Sequence, residues 1–163
     1  MTTTTTQATK LTAQELAAWR GMLRVQAALL REMDAELTAA NGLPLRSYEV
    51  LLHLEDAAGH RQRMTELCRD VVLSASGVSR LVDRLEKDGY VRRERCAYDG
   101  RGFFAVLTPA GASKLQEARA THLAGVRRLF LDRLQPQDLV RLAQYWEIVV
   151  PGSTAPTADS RPD

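Results

Sequence analysis

The chain has 163 residues, of which 45% are hydrophobic and 26% are charged, and its net charge is +2. These values suit one globular domain with a sizeable core, and they exclude a chain that is polybasic throughout. Two cysteines without a CxxC pair exclude a disulfide scaffold, and no apolar run reaches the roughly 18 residues that span a bilayer.

Both ends of the chain are polar and lack an apolar pattern. Residues 1–10 are rich in threonine, and residues 151–163 are rich in proline and small polar side chains, so we expect both tails to be disordered. The N-terminal tail lacks the apolar core of a signal peptide, and we therefore expect a cytoplasmic protein with no membrane association. The ordered part is predicted to be a single domain over residues 11–150.

A long first helix is predicted over residues 11–40. Thr12 and Glu15 have the spacing of a capping box, and leucines recur every seven residues from Leu16 to Leu37. The helix carries more apolar surface than one small domain covers. We therefore expect it to be partly buried against a second subunit.

Three short elements are predicted next. A second helix is expected from Pro44 to about residue 57, because Asn-Gly ends the first helix and proline favours the first turn of another. Residues 61–64 are predicted to add a small strand to a sheet formed later in the chain. A third helix is predicted over residues 65–71, and a tight connection follows it.

Residues 74–88 are predicted to form an amphipathic helix. Its apolar stripe has helical spacing and consists of Val78, Leu81, Val82 and Leu85. Ser74 precedes the stripe, where its side-chain oxygen can cap the helix, and Gly89 follows the last turn, where a left-handed residue is favoured. The opposite face carries Ser76, Ser79, Arg80, Asp83, Arg84 and Lys87. Small hydroxyl side chains near the start and arginines further along suit a helix that enters the DNA major groove.

Two strands are predicted after this helix. The segments YVRRERC and FFAVLT have strand composition, and AYDGRG between them is predicted to be a turn. From Arg61 to Arg101, ten lysines and arginines stand against seven aspartates and glutamates, so the region is locally basic. A helix, a turn, a second helix and a hairpin with a basic tip define a winged helix-turn-helix, predicted over about residues 44–108.

Two further helices are predicted to end the domain. One runs from Thr108 and Pro109 to about residue 134, and the last runs from Pro136 to about residue 150. The predicted fold class is therefore mainly α, a winged helix-turn-helix with a small β wing. We expect the long flanking helices, about residues 11–40 and 109–150, to join two copies of the chain. Two recognition helices would then lie about one DNA turn (~34 Å) apart on a palindromic operator.

The sequence resembles the MarR family of transcriptional regulators. The resemblance rests on GLPLRSYEVLLHL in the second helix, on RMTELCRDVVLSASGVSRLVDRLEKDGYVRRERC through the motif, and on DGRGFFAVLTPAG beyond it. It covers about residues 11–150 and implies a triangular homodimer joined by its N- and C-terminal helices. It also implies a repressor of nearby genes that is released when a small molecule or an oxidant changes the spacing of its two lobes.

The resemblance also implies which residues meet DNA. By motif position, the DNA-facing part of the recognition helix comprises Ser74, Ser76, Gly77, Ser79, Arg80 and Arg84. Asp99 and Arg101 match the wing, where the arginine enters the minor groove and the aspartate braces it. A narrow A·T-rich minor groove attracts such an arginine. Arg93 and Arg95 on the wing strand are candidate phosphate contacts.

The residues give little support to enzymatic or metal chemistry. No GxSxG, P-loop, GxGxxG or HExxH motif is present, so we expect no enzyme and no cofactor. The histidines fall on different elements without HxxxH spacing, so we expect no metal site. Asp83 and Glu86 lie among arginines and are predicted to form ion pairs. A small-molecule effector, aromatic or anionic, is predicted to bind where the first helix meets the motif, with candidate residues Trp19, Met22, Tyr48 and His53.

Two alternatives to a ligand-released repressor remain open. Cys96, predicted to be exposed at the base of the wing beside Arg95, or Cys68, in an apolar register of the third helix, would make the regulator respond to oxidants. The winged helix could instead bind a protein and not DNA. The hydroxyl-rich start of the recognition helix and the basic wing favour DNA.

Overall fold

The computed structural model describes residues 10–71, 74–96 and 99–154, without the side chains of residues 70 and 99–101. This part of the chain contains α1 (Ala13–Asn41), α2 (Leu45–Asp56), β1 (Arg61–Arg63), α3 (Met64–Asp70), α4 (Ala75–Lys87), β2 (Val91–Cys96), β3 (Asp99–Leu107), α5 (Pro109–Leu129) and α6 (Pro136–Val149). Two short 3-10 turns, Ala58–His60 and Leu131–Arg133, lie between these elements. The fold is mainly helical with one small sheet, as predicted.

The three strands form an antiparallel sheet in the order β1-β3-β2. β1 confirms the small strand predicted at residues 61–64. The register of the hairpin shifts between Arg95 and Cys96. The turn predicted over residues 97–102 is wrong in its extent, because Cys96 pairs with Asp99 across this bulge and β3 begins there. Residues 97 and 98 lie outside the described part of the chain.

The apolar core joins the helix-turn-helix to the long helices on either side of it. The predicted stripe of α4 is buried in this core, together with Leu37 of α1, Leu67 of α3 and Leu115 of α5. Burying such a side chain stabilises the fold by about 1.5–3 kcal/mol. α6 differs from the other helices, since none of its residues is buried. Within the described ranges, no helix combines the length and the hydropathy that a membrane span requires.

The predicted signals at the helix ends are confirmed where they can be measured. The backbone N–H of Thr12 donates to Glu15 Oε2 at 2.7 Å, and the backbone N–H of Glu15 donates to Thr12 Oγ1 at 3.2 Å. The hydrogen bond from the Thr12 backbone lowers the pKa of Glu15. Gly42 and Gly89, which follow α1 and α4, have left-handed φ angles of 62° and 79°, as the C-terminal position of a helix favours.

α5 is shorter than predicted. It ends at Leu129, because the backbone of Phe130 leaves helical geometry with φ −129° and ψ −62°, and a 3-10 turn replaces the helix expected as far as residue 134. The Arg133 side chain donates to the carbonyl oxygen of Arg128 at 3.2 Å. This bond satisfies one of the carbonyl groups that the end of a helix leaves open.

The structure describes the first four residues of the predicted C-terminal tail. Residues 151–154 form a turn, because the Glu147 carboxylate accepts hydrogen bonds from the backbone N–H groups of Gly152 at 2.7 Å and Thr154 at 3.4 Å. The bond from Gly152 is the main cause of a lowered pKa at Glu147. The remainder of the predicted tail, residues 155–163, and residues 1–9 lie outside the described part of the chain.

The start of α2 is capped by a side chain from α1. Pro44 precedes α2 and provides no side-chain hydrogen bond, but Asp34 Oδ1 accepts a hydrogen bond from the backbone N–H of Leu45 at 2.8 Å. A carboxylate is favoured there by the unpaired N–H groups and the dipole of the helix. The bond therefore helps to fix α1 relative to the helix-turn-helix.

Replacing Asp34 with alanine should lower the free energy of unfolding by about 1 kcal/mol, the typical cost of removing a helix cap. Urea unfolding followed by circular dichroism measures this change. Glu32→Ala is the matched control, since its carboxylate lies 3.7 Å from Arg31 on the exposed surface, where ion pairs contribute little. If both variants unfold at the same urea concentration, Asp34 does not act as a cap.

Candidate nucleic-acid interface

α4 presents one buried face and one exposed face. The Ser74 side chain accepts a hydrogen bond from the backbone N–H of Gly77 at 3.2 Å, which confirms the predicted cap. Ser76, Arg80 and Arg84 are exposed, whereas Gly77 and Ser79 are partly exposed. Arg80 Nε donates to the carbonyl oxygen of Ser76 at 3.3 Å, which holds the arginine beside the first turn. The six predicted DNA-facing residues of this segment are therefore all at least partly exposed, and they extend from the N-cap to the last turn of α4.

Arg93 is engaged within the protein. Its side chain is 25% exposed, and its Nη1 lies 2.5 Å from Asp83 Oδ1 and 3.4 Å from Glu86 Oε2. Its Nη2 donates to the carbonyl oxygen of Ser79 at 3.4 Å. The predicted ion pairing of Asp83 and Glu86 is confirmed. Arg93 connects β2 to α4, and this placement does not support the phosphate contact that the sequence predicts for it.

The predicted contacts of the wing are described only in part. The backbones of Asp99 and Arg101 belong to β3, but their side chains lie outside the described residues, so their minor-groove role stays a prediction. Arg95 is exposed on β2. Arg61, which no sequence motif marks, lies over the ring of Phe104 at 4.9 Å from its centroid. Because side chains alternate between the two faces of a strand, the position of Arg61 on the outer face of the sheet could have been predicted from the sequence.

A cavity of about 440 Å³ opens between α3, α4 and the two wing strands. It is lined by Met64, Thr65, Cys68, Ala75, Ser79, Arg93 and Phe103. Its volume falls in the range of small-molecule sites. No local motif in the sequence marks this cavity, because four elements contribute to its wall.

The two thiols differ in how well the sequence predicted their surroundings. Cys96 is only 5% exposed, so the prediction of an exposed thiol at the base of the wing is wrong. Cys96 lies where the register between β2 and β3 shifts, and its backbone pairs with Asp99 there. Cys68 is half-buried and lines the cavity beside α4.

The four candidate effector residues lie in different surroundings. Tyr48 is fully buried in the core, and its ring stacks on His122 with centroids 4.4 Å apart. Trp19 is 54% exposed on α1, and His53 is half-buried on α2. Met22 lines a groove of about 510 Å³ between α1, α5 and α6. The structure thus places Tyr48 in the core and does not gather the four side chains around one cavity.

Metal binding finds no support in the described part of the chain. There, no group of three or more histidine, cysteine, aspartate or glutamate side chains is arranged to hold an ion.

The sequence matches known regulators through this module. Residues 41–102, from the end of α1 into the wing, match the model of the MarR family. The chain is 30% identical over 88 residues to the HTH-type transcriptional repressor YetL of Bacillus subtilis. That match covers 54% of this chain and 53% of the repressor, so it spans about half the length of each protein.

Two solved structures from Streptomyces coelicolor are similar over most of their length. Sco3205, a MarR family transcriptional regulator determined in complex with DNA, is 36% identical with a TM-score of 0.82, covering 89% of this chain and 91% of that chain. AbsC, also a MarR family transcriptional regulator, is 37% identical with a TM-score of 0.80, covering 87% of this chain and 95% of that chain. The predicted winged-helix fold is confirmed by these likenesses.

The variant Arg93→Gln should lower the free energy of unfolding by roughly 1–2 kcal/mol, because hydrogen bonds to charged groups are lost from a site that is mostly shielded from water. Arg92→Gln is the matched control on the same strand, since Arg92 is 57% exposed and pairs with Glu94 on the outer face. Its effect should stay within about 0.5 kcal/mol. Chemical denaturation measures both values, and equal effects would contradict a supporting role for Arg93.

Proposed function

Because the chain belongs to the MarR family of transcriptional regulators, we propose that it binds double-stranded operator DNA as a homodimer and represses transcription. The observation that carries the proposal is that α4 buries its apolar stripe and leaves hydroxyl groups near its N-terminus and arginines further along exposed. Similarity to Sco3205, which was determined with DNA, and to the repressor YetL supports DNA binding and repression.

In this proposal the N-terminal half of α4 enters the major groove. The short side chains of Ser74 and Ser76 allow close approach to the base edges. Arg80 and Arg84, one and two turns further on, reach guanine edges or phosphates. Arg101 of the wing enters the adjacent minor groove, and Arg95 contacts the phosphate backbone.

Exposed apolar side chains on the outer helices support a homodimer. They include Leu11, Trp19, Leu23, Val25, Val140, Tyr145, Trp146, Ile148, Val149 and Val150. A helix that buries none of its apolar residues gains little from packing, and a concentration of exposed apolar side chains on two helices favours an interaction site. A second copy that covers α1 and α6 would bury these side chains. It would also place two α4 helices about one DNA turn (~34 Å) apart.

Release by a small molecule is a further part of the proposal. A ligand in the cavity beside α4 would contact α3, α4 and both wing strands at once. Its lining combines the hydroxyl groups of Thr65 and Ser79 with a mainly apolar remainder, and the guanidinium of Arg93 in its wall is already paired with Asp83 and Glu86. This chemistry suits a small aromatic ligand with a hydrogen-bonding group. Cys68 lines the same cavity, so oxidation of this thiol is the alternative trigger, and the buried Cys96 is less suited to that role.

Arg80→Ala tests base recognition. The loss of a guanidinium at a base edge should weaken operator binding by ~1–3 kcal/mol and relax the base preference at one position in each half-site. Fluorescence anisotropy with the operator and its single-base variants measures both effects. Arg31→Ala removes an exposed arginine from α1 and should leave binding unchanged. An equal loss on every DNA sequence would make Arg80 a phosphate contact instead.

Ile148→Asp tests the homodimer. Ile148 is 76% exposed in the single chain, so aspartate should leave the fold intact while weakening dimerisation about tenfold or more, because its charge would be buried in the interface. Sedimentation equilibrium measures the dimer dissociation constant. Gln144→Asp places the same charge at an exposed polar position of α6 and should have a smaller effect. A dimer that is unaffected by Ile148→Asp would place the interface elsewhere.

A further inference from the structure

We infer that Thr108 and Gly111 set the spacing between the two recognition helices by fastening the end of α4 to the start of α5. We call this contact the α4–α5 junction, and it comprises Gly89, Tyr90, Thr108 and Gly111. The inference rests on the proposed function, since the spacing has a meaning only in a dimer that binds two half-sites.

A single hydroxyl group makes the side-chain hydrogen bonds of the junction. Thr108 Oγ1 donates to the carbonyl oxygen of Gly89 at 2.7 Å and accepts from the backbone N–H of Gly111 at 3.0 Å. A hydroxyl group has one proton to donate, so that proton is committed to Gly89. The accepted bond caps α5, and the donated bond reaches the residue that follows α4.

The α4 side of the junction is a fixed turn. Gly89 is left-handed, and its backbone N–H donates to the carbonyl oxygen of Glu86 at 3.0 Å. The backbone N–H of Tyr90 donates to the carbonyl oxygen of Leu85 at 2.9 Å. These are the two bonds of a Schellman motif, which closes the last turn of a helix. A displacement of Gly89 and Tyr90 is therefore passed to the last turn of α4.

The α5 side of the junction needs a residue without a side chain. A Cβ atom at position 111 would collide with the carbonyl oxygen of Tyr90 and would lie 2.9 Å from Leu107 Cδ1. The same Tyr90 oxygen accepts a hydrogen bond from the backbone N–H of Thr108 at 3.1 Å. Glycine weakens a helix relative to alanine, and its presence near the start of α5 is explained by this close approach.

The junction can affect the spacing of the two recognition helices because it lies between α4 and a helix that is fixed to the rest of the domain. α5 is also joined to α2, through the ion pair of Arg119 with Glu55 and the stacking of His122 on Tyr48. The junction adds a direct link between α5 and the C-terminal end of α4. The DNA-facing end of α4 lies about 20 Å away along the helix axis. A small rotation at the junction is therefore enlarged at Ser74, where the proposed contacts with bases begin.

Two variants separate the link from the cap. Thr108→Asp keeps the cap of α5, because aspartate is at least as good an N-cap as threonine, but its carboxylate has no proton to donate to Gly89. Thr108→Ser keeps both bonds and is the matched control. Thr108→Val removes both bonds and serves as a second test of the link. Thermal unfolding establishes that each variant is folded before DNA is added.

The experiment uses an operator that the full-length wild-type protein selects from random duplex DNA. One base pair is then inserted or removed at its centre, which changes the separation of the half-sites by about 3.4 Å and their relative rotation by about 34°. Wild type and Thr108→Ser should bind the altered operators ~tenfold or more weakly than the selected one. Thr108→Asp and Thr108→Val should bind the altered operators only about threefold more weakly, or less, than the selected one, because a looser junction lets α4 adapt to either spacing.

The outcomes distinguish this inference from the proposed function. If Thr108→Asp keeps the wild-type ratio, the junction does not set the spacing, even when DNA binding itself is established. An equal loss of affinity on all three operators would likewise overturn the inference, because it would make Thr108 a residue that only stabilises the fold. If the wild-type protein selects no DNA, the proposed function fails and the inference fails with it.

Discussion

Burial of the apolar stripe of α4 is the constraint on which the rest of the structure depends. The four side chains enter a core shared with α1, α2, α3, the sheet and α5. Each contributes about 1.5–3 kcal/mol, so turning the helix by one residue position, which rotates its faces by about 100°, would cost several kcal/mol. Because the apolar stripe is buried in the core, the opposite face with Ser76, Arg80 and Arg84 is exposed. Burial of the stripe thus fixes the orientation of the candidate recognition face.

Charge supports the same helix from its wing side. A helix that meets phosphates is expected to avoid carboxylates, yet α4 carries Asp83 and Glu86. Their pairing with Arg93 accounts for them, because they hold the wing strand against the helix. The arginines of this region therefore have two different roles. Some arginines, such as Arg80, lie on the exposed face of α4, whereas Arg93 is committed to the fold.

Local signals predicted much of the fold, and long-range contacts explain the failures. The ends of α1 and α4 were predictable because capping residues and left-handed glycines act within a few residues. The exposure predicted for Cys96 was wrong, since the thiol is buried at a shift in the hairpin register that no local motif marks. The exposed face of α4 was predictable from the helical spacing of its apolar residues. The cavity beside it was not predictable, because four elements contribute to its wall. Thr108 was visible as a helix start, but its bond to Gly89 spans 19 residues.

The cavity and the α4–α5 junction act on opposite ends of α4. Ala75 and Ser79, in its N-terminal half, line the cavity, whereas Gly89, just beyond its C-terminus, is held by Thr108. A helix that is fixed at one end and contacted by a ligand near the other can pivot about the fixed end. A ligand that binds the cavity more tightly when α4 is tilted would therefore move the N-terminal half of α4 while the junction stays closed. In the proposed dimer, the junction would then set the spacing of the two recognition helices without ligand, and the cavity is the place where a ligand would change it.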